Sequence, residues 1–332
     1  MKLVVTGGAG FIGSNFIRHV LTAHPEDSVV NLDKLTYAGN RANLADMERD
    51  PRYSFVHGDI CDGKLVRDTL RGVDAVVNFA AESHVDRSLM EPDAFLKTDV
   101  FGVFTLLEVV RELRIPRLLH VSTDEVYGSV ASGSSAETDP LRPSNPYSAS
   151  KAGGDMLALA YWHTHRVPVV VTRSSNNFGP YQYPEKVIPL FVTNALDGRP
   201  LPLYGDGRNV RDWLYVLDNC AALDLVLRKG ADGEVYNIGG GHEVENVVLT
   251  REILRLTGKP ETLIQRVADR PGHDRRYSVD STKMRRLGWT PTHPFTAALE
   301  STVRWYRDHE AWWRPLKSGE FRAWYERQYG NR

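Results

Sequence analysis

The sequence predicts an α/β fold, a doubly wound parallel sheet with a smaller C-terminal α/β lobe that binds substrate. Three observations predict it. Short apolar runs recur over 2–6, 29–32, 53–57, 75–79, 117–121 and 169–173. Stretches with helical spacing, at 11–23, 93–113 and 147–164, fall between several of them. Strands that alternate with helices imply right-handed crossovers and a parallel sheet. Finally, the first run turns into Gly7-Gly8-Ala9-Gly10-Phe11-Ile12-Gly13 before a helix pattern begins.

Each element has a local reason. Residues 2–6 are mostly apolar and branched, as expected of a strand buried on both faces. The run 29–32 repeats that pattern and is closed by Asp33. Residues 130–146 are rich in Ser, Gly and Pro, which predicts a loop over the exit of the fifth strand. Beyond Ser174, Pro180, Pro184, Pro189, Pro200 and Pro202 punctuate shorter elements. The runs 213–216 and 235–238 are expected to rejoin the sheet edge, and 249–257 and 297–308 to be helical. The division is therefore 1–175, a Rossmann-type dinucleotide-binding domain with segments near 211–240 returning to it, and 176–332, mainly the substrate lobe. That lobe is expected over the carboxyl ends of the strands, where open α/β sheets bind ligands. The tail from Trp312 carries Trp313, Trp324, Tyr325 and Tyr329, aromatic side chains expected to pack on their own domain or on a partner subunit.

Composition narrows the class. The chain has 332 residues, 42% hydrophobic and 25% charged, enough for a large core. A net charge of -1 gives no bulk attraction to nucleic acid or to an anionic membrane. Cys61 and Cys220 are too few for a disulfide framework and lack metal-ligand spacing, so no metal is expected. No apolar run reaches the ~18 residues of a membrane span. The opening residues do not have the form of a signal peptide, and a cytoplasmic location is the expectation.

The glycine turn points to a nucleotide. Gly7, Gly10 and Gly13 lie between a predicted strand and a predicted helix. Absent side chains let backbone N–H groups approach a pyrophosphate at the positive end of the helix. Asp33 is placed to accept from a ribose 2′-hydroxyl and to repel a 2′-phosphate, which favours NAD over NADP, with Lys34 beside it acting against that preference. Asp59 and Ile60 follow the third strand, and Ala80 and Ala81 the fourth, placed to line an adenine or a ribose.

Two further segments carry chemistry. Tyr147 and Lys151 are four residues apart and share a helix face. A cation beside a phenol favours phenolate, so Tyr147 is expected to become a base nearer neutrality. It would take the proton of a substrate alcohol while hydride leaves the same carbon for the nicotinamide. Thr123, Asp124 and Glu125 follow the fifth strand and can point together into the crevice. Oxidation at one carbon acidifies the neighbouring C–H. Two adjacent carboxyl groups with separated pKa values then supply one acid and one base for elimination.

These segments carry a resemblance. The chain resembles the extended short-chain dehydrogenase/reductase superfamily and, within it, the dTDP-glucose 4,6-dehydratases. The matching stretches include Asp33 to Asn40, Ala80 to Ser88, Ser122 to Gly128, Ser174 to Tyr181, Arg211 to Trp213 and Asp269 to Tyr277. The resemblance implies a redox-neutral hydro-lyase acting on dTDP-glucose, with tightly held NAD, on the way to deoxysugars. It implies that Tyr147 deprotonates the C4 hydroxyl and that Thr123 hydrogen-bonds near that oxygen. Glu125 would remove the C5 proton, and Asp124 would protonate the departing C6 hydroxyl. It places NAD against Phe11, Ile12, Asp33, Lys34, Leu35, Thr36, Asp59, Ile60, Ala80, Ala81, Ser83, Thr98, Tyr147, Lys151 and Asn177. It places the nucleotide sugar against His84, Thr123, Asp124, Glu125, Asn176, Lys186, Val187, Pro202, Leu203, Tyr204, Arg211, Asn246, Asp269, Arg270, Pro271, Gly272, His273 and Tyr277. Lys186, Arg211 and Arg270 suit a diphosphate, and Tyr204 offers a face to a base. A homodimer through helices at 93–113 and 152–164 is also implied. Two departures stand out: the loop 129–142 is short, and Phe178 stands where a Tyr is often seen.

Two other readings share parts of this equipment. A UDP-hexose 4-epimerase, or a 4,6-dehydratase for another nucleotide, needs the same cofactor turn and Tyr/Lys pair. A non-catalytic NAD-binding sensor needs only the turn, and the survival of both Tyr147 and Lys151 argues against it.

Overall fold

The computed structural model describes residues 1–329. The strands are β1 (Lys2–Thr6), β2 (Ser28–Asp33), β3 (Tyr53–His57), β4 (Ala75–Asn78), β5 (Leu118–Thr123) and β6 (Val169–Ser174), then β7 (Asn176–Phe178), β8 (Leu201–Tyr204), β9 (Val210–Tyr215), β10 (Val235–Ile238), β11 (Glu243–Glu245) and β12 (Ile264–Val267). Seven of them form one sheet in the order β10-β6-β5-β4-β1-β2-β3. Every pairing in it is parallel. The chain runs outward from β1 to β3 and then returns to the other side of β1. The crevice at that reversal, above β1 and β4, is where such sheets take ligands.

Both faces of the sheet are covered, which explains the unbroken apolar runs. Alternate residues point to opposite faces. Val4, Leu32, Val76 and Leu118 pack with Val66, Leu106 and Ala158 on one side. Leu3, Val5, Val29, Val77 and Leu119 pack with Phe16, Val20, Leu223 and Val226 on the other. Burying each such side chain contributes about 1.5–3 kcal/mol. A third apolar cluster lies in the region from 176 onward and holds Phe191, Leu203, Trp213 and Tyr306. Trp313 and Trp324 of the aromatic tail are buried in it. Among the described residues no helix is long and apolar enough to cross a membrane.

Several elements differ from the sequence expectation. The run 235–238 joins the sheet edge as β10, but 213–216 does not: Trp213 lies in β9, which pairs with β7 and β11 in a separate three-stranded sheet. Residue 216 instead opens the helix Val216–Lys229. Periodicity marked an apolar strand there without saying which sheet would bury it. The helix expected over 93–113 is interrupted. Pro92–Phe95 leads into a π-helical segment, Leu96–Gly102, before Val103–Leu113 resumes. The helices Gly63–Leu70 and Val187–Leu196 were not foreseen. The first carries its own signal, Asp62, whose carboxylate caps Lys64 N and Leu65 N. The second contains Pro189, read as a breaker but tolerated in a first turn, where its missing N–H would be unbonded anyway.

Candidate active site

A cleft opens at the reversal point of the sheet. Gly7, Gly10, Phe11, Ile12 and Gly13 form its floor at the start of the helix Phe11–Ala23. The turn has no room for side chains. A Cβ on Gly13 would stand 2.4 Å from Gly7 O, and Gly7 itself has φ +69. Asp33 closes β2 beside it, accepting from Ala9 N at 2.9 Å and Leu35 N at 2.7 Å. That second bond holds Leu35 at a positive φ of 55 and turns the chain along the cleft. Lys34 is committed to Asp59 at 2.7 Å, so its charge is neutralised within the protein.

Most residues expected around a dinucleotide converge here. Asp33, Lys34, Thr36, Asp59, Ile60, Ala80, Ala81, Ser83, Thr98, Tyr147 and Lys151 line the same cleft. Leu35 and Asn177 stand outside that lining. Leu35 acts through its backbone, and Asn177 donates to Ser175 O at 2.9 Å while its Oδ1 is buried without a protein partner. Glu82, expected within the stretch Ala80 to Ser83, also lines the cleft, as do Gln182, Tyr183 and Glu185, which were missed. The last three lie in a proline-punctuated stretch whose only local signal is that of a turn. A cleft lined by a bare glycine turn, by the Asp33 carboxylate at the end of β2 and by the Tyr147/Lys151 pair fits NAD.

The acid/base groups sit at the exit of β5. Thr123 caps a one-turn helix, Asp124–Tyr127, its hydroxyl accepting from Glu125 N at 3.2 Å. The turn closes at Gly128, where φ is +76 and a Cβ would stand 2.3 Å from Arg142 O. Thr123 also donates to Asp124 Oδ1 at 3.2 Å. The other oxygen of Asp124 is buried without a partner. Burial pushes the Asp124 carboxyl well above its usual range, and the charges of Glu125 and Asp212 push the same way. Burial therefore favours the neutral acid form of Asp124, whose Oδ2 has no protein partner.

The opposite wall is the helix Pro146–His165. Pro146 occupies its first turn, and Asn145 with Ser148 forms a reciprocal cap, so the helix starts with Tyr147 already at the cleft. Lys151 lies one turn on, buried, donating to Val121 O at 2.9 Å. Here the electrostatic expectation is corrected. Burial holds the Tyr147 phenol well above its ordinary value, and the charges of Glu125 and Asp99 raise it further, against a bond to Thr123. Burial first and the nearby carboxylates second keep the Tyr147 phenol high, while Lys151 is already bonded to a carbonyl.

The nucleotide-sugar set is also drawn together. Lys186 donates to Ser83 O at the edge of the cleft. Lys186, Arg211 and Arg270 all feel the charge of Glu125, which places three cations around one space. Arg211 is fixed by Asp274 O at 3.0 Å and lies over the Tyr277 ring at 4.5 Å. Tyr277 donates to Asp274 at 2.6 Å and stands 3.5 Å from Glu125 Oε2. His273 pairs with Asp269 at 2.5 Å, and Gly272 takes a φ of +63 beside Ser144 O, which fixes the turn through Arg270 and Pro271. His84 Nδ1, Asn176 Oδ1, Asn246 Oδ1 and Arg270 Nε are buried with no protein partner. Buried polar atoms are normally satisfied, so four such orphans on residues expected to bind substrate are a signature of a ligand site. Val187 opens the helix that follows Lys186, and Pro202 is buried in β8. Leu203 is an exception, since its side chain packs in the apolar core and only its backbone is left for a ligand. The short loop 129–142 is pinned: Ser135 bridges to Val279, and Val130 N bonds Arg276 O. Phe178 is fully enclosed by Trp213, Tyr215 and Phe295, which explains an apolar ring at that position.

Comparison with known proteins agrees. A family model described as GDP-mannose 4,6 dehydratase matches residues 4–302. A dTDP-glucose 4,6-dehydratase of Streptomyces niveus is 53% identical over 323 residues, covering 96% of each chain. The chain belongs to the dTDP-glucose 4,6-dehydratase family. A low-salt glycan biosynthesis protein of Haloferax volcanii is 54% identical over 92% of this chain and 98% of its own. The solved structure of the Streptomyces venezuelae dTDP-glucose 4,6-dehydratase, with NAD and TYD bound, superposes with a TM-score of 0.94 at 55% identity, covering 96% of this chain and all of that one. The dTDP-glucose 4,6-dehydratase fold thus carries the same seven-stranded sheet and the same crevice.

Proposed function

We propose that this chain is an NAD-dependent hydro-lyase that converts dTDP-glucose to dTDP-4-keto-6-deoxyglucose. The observation that supports the reading is that the buried carboxyl groups Asp124 and Glu125 lie near enough to the half-buried Tyr147 for their charges to act on its phenol. Gly7 to Gly13, Asp33, Thr36, Asp59, Ile60, Ala80, Ala81, Ser83, Thr98 and Lys151 would hold NAD. NAD held there would supply a hydride acceptor for C4 and the hydride donor for C6. Tyr147 takes the proton of the C4 hydroxyl, with Thr123 beside that oxygen. Glu125 then removes the C5 proton, which the new C4 ketone acidifies. Asp124, kept neutral by burial, gives its proton to the C6 oxygen as water leaves, and Glu125, its proton exchangeable with solvent, gives one back to C5 to complete the product. Lys186, Arg211 and Arg270 neutralise the diphosphate, and Tyr204 faces the base. An epimerase needs no second acid/base pair, so Asp124 and Glu125 favour dehydration over that alternative.

Residues 1–175 with the returning segment through β10 form the cofactor domain on this reading, and 176–332 mainly the nucleotide-sugar domain. The aromatic and methionine face formed by Leu96, Phe101, Phe104 and Met156 is exposed, Met156 by 60%. Such a contiguous apolar face on two neighbouring helices supports a homodimer. A cytoplasmic location accords with the free thiols of Cys61 and Cys220.

The deciding experiment is mass spectrometry of product formed in deuterated water. Elimination with internal hydride return places solvent deuterium at C5 and one non-exchanged hydrogen at C6. Loss of the substrate's C4 hydrogen to solvent would refute the mechanism. Turnover of UDP-glucose in preference to dTDP-glucose would refute the substrate.

A further inference from the structure

The dehydratase chemistry leaves one buried carboxylate unused. Asp86 lies in the short helix Val85–Met90 with 3% of its surface exposed. It does not line the cofactor cleft, yet both of its oxygens are engaged by residues distant in the chain. Oδ1 accepts from Arg270 NH1 at 2.8 Å. Oδ2 accepts from the Tyr204 hydroxyl at 3.0 Å and from Gln328 Nε2 at 3.0 Å. Gln328 donates in addition to the Tyr204 hydroxyl at 2.6 Å. Arg270 lies over the Tyr204 ring at 6.0 Å. The two groups that Asp86 holds are a guanidinium and an aromatic plate, the pair that a nucleoside diphosphate needs.

Two further features point from this cluster to a ligand. Arg270 Nε is buried and has no protein partner, a donor left over after Asp86 has taken the NH1 end. An arginine fixed at one edge presents the other edge of its planar guanidinium in a set direction, which suits bidentate bonding to two oxygens of one phosphate. The Tyr204 ring is flanked edge-on by His273 at 5.7 Å and at a tilt by Tyr329 at 5.9 Å. With its hydroxyl tied down, that ring cannot swing out of plane.

We infer that Asp86 is a positioning residue for nucleotide recognition, aligning Arg270 with the diphosphate and Tyr204 with the base, and that Gln328 of the C-terminal helix Glu320–Tyr329 completes its hold. The inference rests on the dehydratase reading for the identity of the nucleotide. Asp86 touches no reacting atom, so its loss acts on binding and spares the chemical steps.

The test uses the full chain and dTDP as the probe. Asp86→Asn keeps the shape but removes the charge and turns one acceptor into a donor that faces donors. Titration calorimetry is expected to show dTDP binding weakened by about tenfold or more, the scale of a lost charge-assisted bond. The KM for dTDP-glucose rises in step, while kcat stays within about twofold and the NAD content of the purified protein is unchanged. A merely structural role would instead lower kcat, NAD content and KM-independent activity together, and that pattern overturns the inference. So does an unchanged dTDP affinity. If Asp86→Asn does not fold, Gln328→Ala decides, because it leaves Asp86 and Arg270 in place: weaker dTDP binding supports the inference, and unaltered binding overturns it. Turnover of dTDP-glucose by the unaltered protein tests the dehydratase reading separately from this ratio of affinities.

Discussion

Asp99 offers a prediction whose size comes directly from its surroundings. It sits in the π-helical segment Leu96–Gly102, 1% exposed, bonded by Ser150 Oγ at 2.7 Å and Glu82 N at 3.1 Å. Burial drives its carboxyl from 3.8 up to about 7, with Lys151 and its two hydrogen bonds pulling down and Glu82 pushing up. In the unfolded chain Asp99 ionises near 3.8, so between those values the unfolded state sheds a proton that the folded state keeps. Stability therefore falls as pH rises through that window, and the full cost is present above about 7. The displacement corresponds to about 4 kcal/mol. Asp99→Asn preserves an acceptor for Glu82 N and a donor for Ser150 and removes the ionisable group. The variant is expected to be more stable than the unaltered protein by up to about 4 kcal/mol at pH 8, with the difference shrinking towards zero below pH ~4. Urea denaturation of both proteins across that range measures it, and comparing the two cancels every other titrating group. A difference that does not change with pH, or a variant less stable at pH 8, would refute the account of Asp99 as a buried, costly carboxylate. The cost is of the kind tolerated at functional sites, since Asp99 joins the cofactor wall at Glu82 to the helix that carries Tyr147 and Lys151.

Three more outcomes follow from the geometry. Asp124→Asn removes the neutral acid but leaves Tyr147 untouched, so kcat should fall by ~10²- to 10⁴-fold while oxidation at C4 still proceeds, seen as reduced-nicotinamide absorbance in a single turnover. Loss of that absorbance, or a near-normal kcat, would count against its role. Gly13→Ala forces a methyl to within 2.4 Å of Gly7 O, so the turn must open; the purified protein should lose NAD and about 1–3 kcal/mol of stability, read by absorbance and thermal melting. Replacing Phe101 and Met156 together by Glu puts charge on the exposed apolar face and should give a monomer by analytical ultracentrifugation, whereas an unchanged sedimentation coefficient would place the subunit contact elsewhere.

The sequence by itself determined what depends on neighbours in the chain. The glycine turn, the alternation of strands and helices, the shared face of Tyr147 and Lys151 and the run Thr123-Asp124-Glu125 are all set within a few residues, and each was legible before any fold was known. The tertiary structure decided what depends on partners far along it. Gln328 reaches Asp86 across 242 positions, β9 chose a sheet other than the one its pattern suggested, and Pro189 entered a helix because its first turn needs no donor there. Charge followed the same division: a phenol near a lysine was readable, but the burial and crowding carboxylates that raise Tyr147 and Asp124 exist only once β5 and the helix Pro146–His165 are packed together. Local dihedral and spacing preferences act through the covalent chain, whereas desolvation and long-range hydrogen bonds act through space and appear only with the packed core.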